Sequence, residues 1–242
     1  MSEMVKVVLN GQFELLIPKH RADRPEWYTE KGWEKKRLLN MYAHLKLSKR
    51  LRPKEVVYYI GAEEGEMAAL CQIWGADVVL FEPNDKVWAN IKAIWDANNL
   101  EYPLYCFSGF ASNKNTLNSE GYFKKRSFPD SANGEVIGDH GFKELKDPGD
   151  IPQVKIDTVV EVTGVIPTAI SLDVEGSEWE VLRGAEKTLK EHKPRIWLSL
   201  HPEFLHEQYG EWGAELRRWI MDLGYSETLL DYPLHEVHLY YE

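Results

Sequence analysis

Two stretches of the chain combine residue types that could bind or transform a ligand. The first is the turn Gly61-Ala62-Glu63-Glu64-Gly65, which directly follows an apolar run at residues 56–60. A glycine turn between a buried strand and a helix presents backbone N–H groups and a helix N-terminus to a ligand. Glu82 follows the next apolar run, 21 residues after Gly61, where a carboxylate can accept both hydroxyls of a ribose. The alternative for Glu82 is a solvated acid at a strand end.

The composition of this turn argues against a phosphate-bearing cofactor. It lacks the G-x-G-x-x-G pattern over which pyrophosphates bind, and Glu63 and Glu64 would repel a phosphate. A nucleoside ligand that carries positive charge and no phosphate fits better. A dehydrogenase using a nicotinamide dinucleotide is therefore disfavoured, and saturable NADH fluorescence enhancement would revive it.

The second stretch is Asp173-Val174-Glu175-Gly176-Ser177-Glu178, at the tip of a predicted strand. Carboxylates there lie beside the crevice in which doubly wound sheets bind ligands. Asp173 and Glu175 share one face if the strand continues, whereas a turn at Gly176 would redirect Glu175. Either one could orient the cationic end of a cofactor or take a proton from an acceptor. Glu178 is alternatively a first-turn acid favoured by the helix dipole.

His201 follows the predicted strand at residues 195–200 and is a candidate general base, although a histidine before a proline is commonly structural. His235 and His238 lie three apart on a predicted strand, so they point to opposite faces and make a poor metal pair. The sequence has no H-E-x-x-H motif and no Cys/His cluster, so no metal site is predicted, and a divalent metal assisting at Asp173 is an alternative that no ligand cluster in the sequence supports. The aromatic residues Trp27, Tyr28 and Trp33 line an acceptor pocket or pack in the core.

The elements that position these residues alternate between strands and helices. Strands are predicted at residues 56–60, 78–81, 104–107, 154–160, 169–174, 195–200, 225–230 and 236–241. Helical apolar spacing links Met67 to Trp74, Val87 to Asn98 with Asp85 near the N-terminus, Trp179 to Leu189 with Ser177 as cap, and Trp212 to Leu223. The pattern predicts an α/β fold with a doubly wound, mostly parallel sheet whose last strand is antiparallel.

The N-terminal segment is predicted to form a β-hairpin at residues 4–17 around Asn10-Gly11, followed by a loop and a helix beginning near Trp33. Residues 1–50 and 51–242 are expected to form one domain. Residues 110–150 have no clear periodicity, and long loops of this kind are often functional. We interpret them as an insertion that covers the cleft.

Composition limits the partners. The 242-residue chain has a net charge of −10 and no dense Lys/Arg run, which disfavours nucleic acid and anionic membrane surfaces. It has no run of the ~18 apolar residues needed to span a membrane and no apolar leader segment. Cys71 and Cys106 have no C-x-x-C partner and are expected to be core thiols in a reducing compartment, so a cytoplasmic location is expected.

The segments VYYIGAEEG, FEPN, KIDTVV, DVEGSEWEVLRGA and SLHP together resemble the FkbM family of methyltransferases dependent on S-adenosylmethionine, over about residues 35–205. The resemblance implies the class I methyltransferase fold with a seven-stranded sheet. It also implies that Gly61, Ala62, Glu63 and Gly65 pass beneath the cofactor, that Glu82 holds its ribose, and that Ser108 and Gly109 lie near the adenine. By the same resemblance, Asp173 and Glu175 face the methionine moiety or the acceptor.

Two positions depart from the family pattern. Tyr59 stands where the first strand usually carries an acid, and Ser199 stands where an acid is usual near the end of the fifth strand. The leading hypothesis is an O-methyltransferase acting on a hydroxyl of a sugar or small natural product, with Asp173 or His201 taking the proton. The alternative, motivated by Tyr59, is a non-catalytic binding or assembly protein that retains the fold. The sequence carries no pattern that defines the acceptor or the oligomeric state.

Overall fold

A computed structural model describes residues 3–23, 35–48, 54–116, 123–136, 151–233 and 235–242. The chain begins with a hairpin of strands β1 (Met4–Leu9) and β2 (Phe13–Pro18). Asn10 and Gly11 turn the chain with φ of 51° and 70°, backbone angles that Asn and Gly tolerate better than other residues. The predicted hairpin is therefore present. Its apolar side chains Phe13, Leu15 and Ile17 pack into the main core.

A seven-stranded sheet forms the centre of the molecule. Its strands are β3 (Val56–Ile60), β4 (Asp77–Phe81), β5 (Tyr105–Phe107), β8 (Ala169–Leu172), β9 (Arg195–Leu200), β10 (Glu227–Asp231) and β11 (Val237–Tyr241), arranged in the order β10-β11-β9-β8-β3-β4-β5. Strands β5, β4, β3, β8 and β9 are parallel, whereas β11 runs antiparallel to both β9 and β10. The predicted sheet and its antiparallel last strand are confirmed.

Helices cover both faces of this sheet. They are α1 (Lys19–Ala22), α2 (Lys35–Ser48), α3 (Glu66–Ile73), α4 (Trp88–Ala97), α5 (Ile156–Thr163), α6 (Glu178–Arg183), α7 (Glu186–His192), α8 (Pro202–Tyr209) and α9 (Gly213–Asp222). Two clusters of buried apolar side chains join these helices to the sheet. One contains α2, α3, α4 and the hairpin, and the other contains α5, α6, α7 and α9. The central strands are apolar on both faces because both faces are covered.

Three predictions about local structure were wrong. Residues 154–160 form only a two-residue strand, β7 (Gln153–Val154), and then the helix α5, which ends at Gly164 with φ 67°. The apolar positions of a short segment fit either period, and here Ile156 and Val159 share the buried face of a helix. The helix predicted to begin at Ser177 is two helices, because it breaks at Gly184. The helix α8 was not predicted.

Two smaller expectations also change. The side chain of Asn84, and not that of Asp85, accepts the N–H of Lys86 at the turn before α4. Ser177 precedes α6, but its hydroxyl contacts the Tyr209 hydroxyl at 3.0 Å and makes no capping bond. The neighbouring Asn84 thus takes the capping role at the first helix, whereas a tertiary contact occupies the Ser177 hydroxyl at the second.

The interval at residues 110–150 is described in part. Strand β6 (Phe110–Ala111) pairs in parallel with β7, and Phe128 packs against Trp88, Trp95 and Tyr102 beside α4. Residues 117–122 and 137–150 lie outside the described residues, as do Trp27, Tyr28 and Trp33, so the expected cleft cover and acceptor pocket stay predictions. Cys71 and Cys106 are buried free thiols. No described helix is both long enough and apolar enough to cross a membrane.

Candidate functional site

The carboxyl ends of the parallel strands bring the first set of predicted residues together. The N–H of Gly61 donates to the carbonyl of Phe81 at 3.0 Å, and the N–H of Gly109 donates to the carbonyl of Glu82 at 3.2 Å. Ser108 and Gly109 directly follow β5, next to the end of β4. The residues predicted to lie under and around a nucleoside therefore occupy one edge of the sheet.

Glu82 is the most unusual group at this edge. Its side chain is buried, and its two oxygens accept the N–H groups of Glu63 at 2.8 Å and Asn84 at 2.9 Å. Burial raises the pKa of Glu82 to about 7, although these two N–H groups oppose the rise. Among the described residues no cation pairs with this carboxylate. Because an ionised carboxylate can accept about four hydrogen bonds, Glu82 keeps capacity for further donors.

The acidic side chains of the glycine turn are held by the N-terminal segment. Arg21 donates to Glu63 at 2.9 Å and to Glu66 at 2.6 and 2.8 Å, and both Arg21 and Glu66 are 2% exposed. His20 contacts Glu64 at 2.7 Å, and Asn90 donates to the same carboxylate oxygen. The acids of the turn are thus compensated within the protein. Arg21 and His20 therefore offset part of the negative charge of the turn, and whether the turn repels phosphate stays a prediction.

The second set of predicted residues surrounds His201, which is 2% exposed at the end of β9. Its Nδ1 lies 2.8 Å from Oε1 of Glu178, a fully buried acid that also accepts the N–H of Gly176. Its Nε2 lies 3.7 Å from Asp173 Oδ1 and 3.5 Å from Glu175 Oε2. The structure therefore joins the Asp173-Glu175 segment to His201, although 26 or more residues separate them in sequence.

The backbone is turned sharply to make this contact. Glu175 has φ 52° and Gly176 has φ 104°, so the chain reverses immediately after β8 and directs the Glu175 carboxylate back to His201. Burial raises the pKa of Glu175 to about 7. The nearby His201 opposes this rise in pKa, and the Asp173 carboxylate adds to it. Burial alone would lower the pKa of His201, but the Glu178 and Glu236 carboxylates outweigh it and raise that pKa to about 11.

Arg37, on α2, reaches the same cluster from the other side. It is 1% exposed, and it donates to Asp173 Oδ2 at 3.1 Å and to Ser171 Oγ at 2.8 Å. Ser171 is the register partner of Tyr59 on the neighbouring strand. Tyr59 stands at the position where the family pattern described above has an acid. The buried guanidinium of Arg37 lies beside it.

Glu236 supplies a carboxylate near Ser199. Its Oε2 accepts the Ser199 hydroxyl and lies near His238 Nε2, both at 2.8 Å, and its Oε1 lies 3.6 Å from His201 Nε2. Burial alone would raise the pKa of Glu236. The contacts with His201, His238 and Ser199 outweigh burial and hold this pKa well below its ordinary value. The acid missing from β9 is thus replaced by one that precedes the adjacent strand β11.

Sequence reasoning missed four members of this site: Arg21, Arg37, Glu178 as a histidine partner, and Glu236. The first two lie in short basic segments that match no motif, and Glu236 belongs to a hairpin whose register the sequence does not show. Only Glu178 had a signal, because it follows the Asp173-Glu175 pair. The prediction that no metal-ligand cluster exists also changes, since Asp173, Glu175 and His201 present ligand atoms within 4.8 Å of one another.

The strand order, the glycine turn after the first parallel strand and the acid after the second define the class I methyltransferase architecture. The Methyltransferase FkbM domain matches residues 55–227. The chain belongs to the FkbM methyltransferase family.

One solved structure supports this fold, and a second solved methyltransferase is similar at a lower score. The structure of a methyltransferase FkbM from Methylobacillus flagellatus KT is similar to this chain, with 19% sequence identity and a TM-score of 0.52. The similarity covers 83% of this chain and 48% of that chain. The C-terminal domain of precorrin-6Y C5,15-methyltransferase from Rhodobacter capsulatus is 14% identical, with a TM-score of 0.44, over 84% of this chain and 86% of that one. This chain therefore spans about half the length of the FkbM structure it resembles. No curated protein matches it.

Proposed function

We propose that the protein is an S-adenosylmethionine-dependent methyltransferase that methylates a hydroxyl on a sugar or small natural-product acceptor. The observation that carries the proposal is Glu82, a buried carboxylate at the end of β4 that keeps acceptor capacity and has no cation partner among the described residues. A ribose offers two adjacent hydroxyl donors, which match that capacity. The family membership supplies the reaction class.

The remaining predicted residues lie at the same carboxyl edge of the sheet, which supports a cofactor bound across that edge. Gly61, Ala62, Glu63 and Gly65 form the floor, and Ser108 and Gly109 lie on the adenine side. Asp173 and Glu175 lie on the side where the sulfur would be. When bound there, the cofactor supplies an electrophilic methyl group on a sulfonium.

The protein's own part is to align the acceptor oxygen and to remove its proton. Alignment within about 3–3.5 Å of the methyl carbon provides most of the rate gain in such a displacement. We assign the proton to Asp173 Oδ1, because its other oxygen is held by Arg37. His201 has a pKa of about 11 and is a cation at neutral pH, so it acts as a charge partner for the carboxylates and not as the base.

One observation favours the alternative of a non-catalytic protein with this fold. Tyr59 replaces a cofactor-binding acid of the related pattern, and Arg37 lies against the predicted methionine end. If Arg37 replaces the lost acid by a different contact, donor binding persists. If it only stabilises Asp173, the site has lost the donor, and the fold serves binding or assembly.

Calorimetric titration with S-adenosylmethionine distinguishes these functions. We expect saturable binding of one molecule per chain, and we expect Glu82→Ala to weaken it by roughly 1–3 kcal/mol, the effect of losing a charged hydrogen-bond acceptor. Glu101→Ala, which removes an exposed acid elsewhere, should leave the affinity unchanged. No binding at millimolar cofactor would exclude the methyltransferase function, and unchanged affinity in Glu82→Ala would place the ribose elsewhere.

The pH dependence of donor binding should follow Glu82. Because its pKa is about 7 in the free protein, the carboxylate is increasingly protonated below neutral pH and loses acceptor capacity. Donor affinity should therefore fall as the pH falls, by up to about tenfold between pH 8 and pH 6. Binding at pH 6 should also release a proton, which titrations in two buffers of different ionisation enthalpy detect. In Glu82→Gln the dependence should disappear, and its persistence would assign the titration to another group.

A further inference from the structure

The cluster of Asp173, Glu175 and His201 has a feature that methyl transfer alone does not require. Nε2 of His201 is buried and makes no hydrogen bond with any described residue. Three carboxylate oxygens surround it at 3.5–3.7 Å, from Asp173, Glu175 and Glu236. A charge-assisted hydrogen bond is about 2.7–2.9 Å long, and Nδ1 of the same ring makes one of 2.8 Å to Glu178. The oxygens therefore approach Nε2 without bonding to it.

We propose that His201 Nε2, Asp173 Oδ1 and Glu175 Oε2 bind one divalent first-row transition-metal ion of the Mn²⁺ or Zn²⁺ type. Two ligands of one such ion, each about 2.0–2.3 Å from it, lie roughly 3–3.7 Å apart. The Nε2–Asp173 and Nε2–Glu175 separations, 3.7 and 3.5 Å, are in that range. Three protein ligands leave coordination positions open for an acceptor oxygen or water.

The surroundings of the histidine support ligation. A metal-binding histidine almost always donates its other ring N–H to a carboxylate, a backbone carbonyl or water, which sets the tautomer and orients the ligating nitrogen. Glu178 does this for His201 Nδ1, and the N–H of Gly176 holds the same carboxylate oxygen. A metal ion that binds here would displace the proton of Nε2, and the lone pair freed in this way would be directed at Asp173 and Glu175. The nitrogen ligand favours a transition metal over Mg²⁺ or Ca²⁺, which prefer oxygen ligands only.

The charge balance also favours a cation. The acids Asp173, Glu175, Glu178 and Glu236 are all within 4 Å of the His201 ring. Among the described basic side chains, Arg37 contacts Asp173 Oδ2 and His238 contacts Glu236 Oε2, and neither contacts the Asp173 and Glu175 oxygens that face Nε2. A bound ion would offset the excess negative charge.

A role for this ion in catalysis rests on the proposed function, whereas its binding does not. Held by the three ligands, the ion would bind the acceptor hydroxyl and lower its pKa, and the proton would leave to solvent water. Asp173 and His201 would then hold the ion, and no side chain would be needed as the base.

Mn²⁺ binding to the full chain, freed of metal with EDTA and studied without the methyl donor, tests the site. Electron paramagnetic resonance should show free Mn²⁺ disappearing with one ion per chain, and pulsed spectra should show coupling to one histidine nitrogen. Glu175→Gln, which changes a half-exposed side chain, should weaken binding at least tenfold and keep the fold. His201→Gln should remove the nitrogen coupling. The exposed acid in Glu203→Gln is the matched control and should bind Mn²⁺ like the wild type.

Absent binding at millimolar Mn²⁺, absent nitrogen coupling, or equal affinity in Glu175→Gln and Glu203→Gln would each overturn the site. If His201→Gln does not fold, the Glu175→Gln result and the nitrogen coupling of the wild type decide the question. Mn²⁺ binding together with no donor binding would leave the metal site in place and exclude the proposed methyltransferase. Donor binding without Mn²⁺ binding would exclude the metal site and leave the proposed methyltransferase function in place.

Discussion

Replacing Arg21 by methionine should destabilise the protein by about 3–5 kcal/mol at neutral pH, because it removes the guanidinium that is hydrogen bonded to the buried Glu66 carboxylate. Arg21 donates through Nε and Nη2 to Glu66 Oε1, and both side chains are 2% exposed. It also donates to Glu63 in the glycine turn. Urea unfolding of the two proteins measures the change in the free energy of unfolding.

Two further variants identify the cause of that loss. Lys19→Met removes an exposed ion pair with Glu3 and should leave the urea midpoint of unfolding nearly unchanged. The double variant Arg21→Met with Glu66→Gln removes the buried charge along with its partner, so it should recover much of the loss. Two results would contradict this account: a free energy of unfolding for Arg21→Met within about 1 kcal/mol of the wild type, or no recovery in the double variant. Either one would show that the Arg21–Glu66 pair does not stabilise the turn.

Replacing Gly61 by alanine should cost about 3–5 kcal/mol and abolish donor binding, since it combines an unfavourable backbone conformation with a steric clash. Gly61 has φ 81°, and a Cβ there would lie 1.8 Å from the carbonyl oxygen of Asp173. The clash is with backbone, so relief requires the ends of β3 and β8 to separate. Those two strand ends carry the glycine turn and Asp173, which the proposed site holds together.

Gly164→Ala is the matched control for this substitution. Gly164 has φ 67°, but nothing lies within 4 Å of its added Cβ. Its loss of stability should therefore be only the backbone contribution, about 1–2 kcal/mol, with donor binding unchanged. Similar losses of stability for the two alanine variants would show that the contact between Gly61 and Asp173 is not close.

The strands of the sheet, the glycine turn and the position of Glu82 at the end of a strand could be predicted from the sequence, because their signals are local. An apolar run bounded by glycine and an acid at a fixed distance follow from the βαβ unit itself. The helix α5 was assigned wrongly because Val154, Ile156, Val159 and Val160 satisfy both periods over a short segment. Tertiary packing, which determines the buried face, decided between them.

The parts of the site that could not be predicted are contacts between distant segments. Arg21 and Arg37 lie 42 and 136 residues from the acids Glu63 and Asp173 that they hold. Glu236 lies 37 residues from Ser199, yet their side chains are hydrogen bonded because β11 pairs with β9. Such pairings depend on topology and register, which no motif encodes. The pairing of Arg21 and His20 with the acids of the glycine turn was missed for the same reason.

The central claim is that a methyl donor binds across the edge between Glu82 and the Asp173 cluster. A crystal structure with S-adenosylhomocysteine, the demethylated product, tests it most directly. We predict that both ribose hydroxyls contact Glu82, that the adenine lies beside Ser108 and Gly109, and that the sulfur faces Asp173. A product molecule bound away from Glu82, or crystals that bind none at millimolar concentration, would contradict the account.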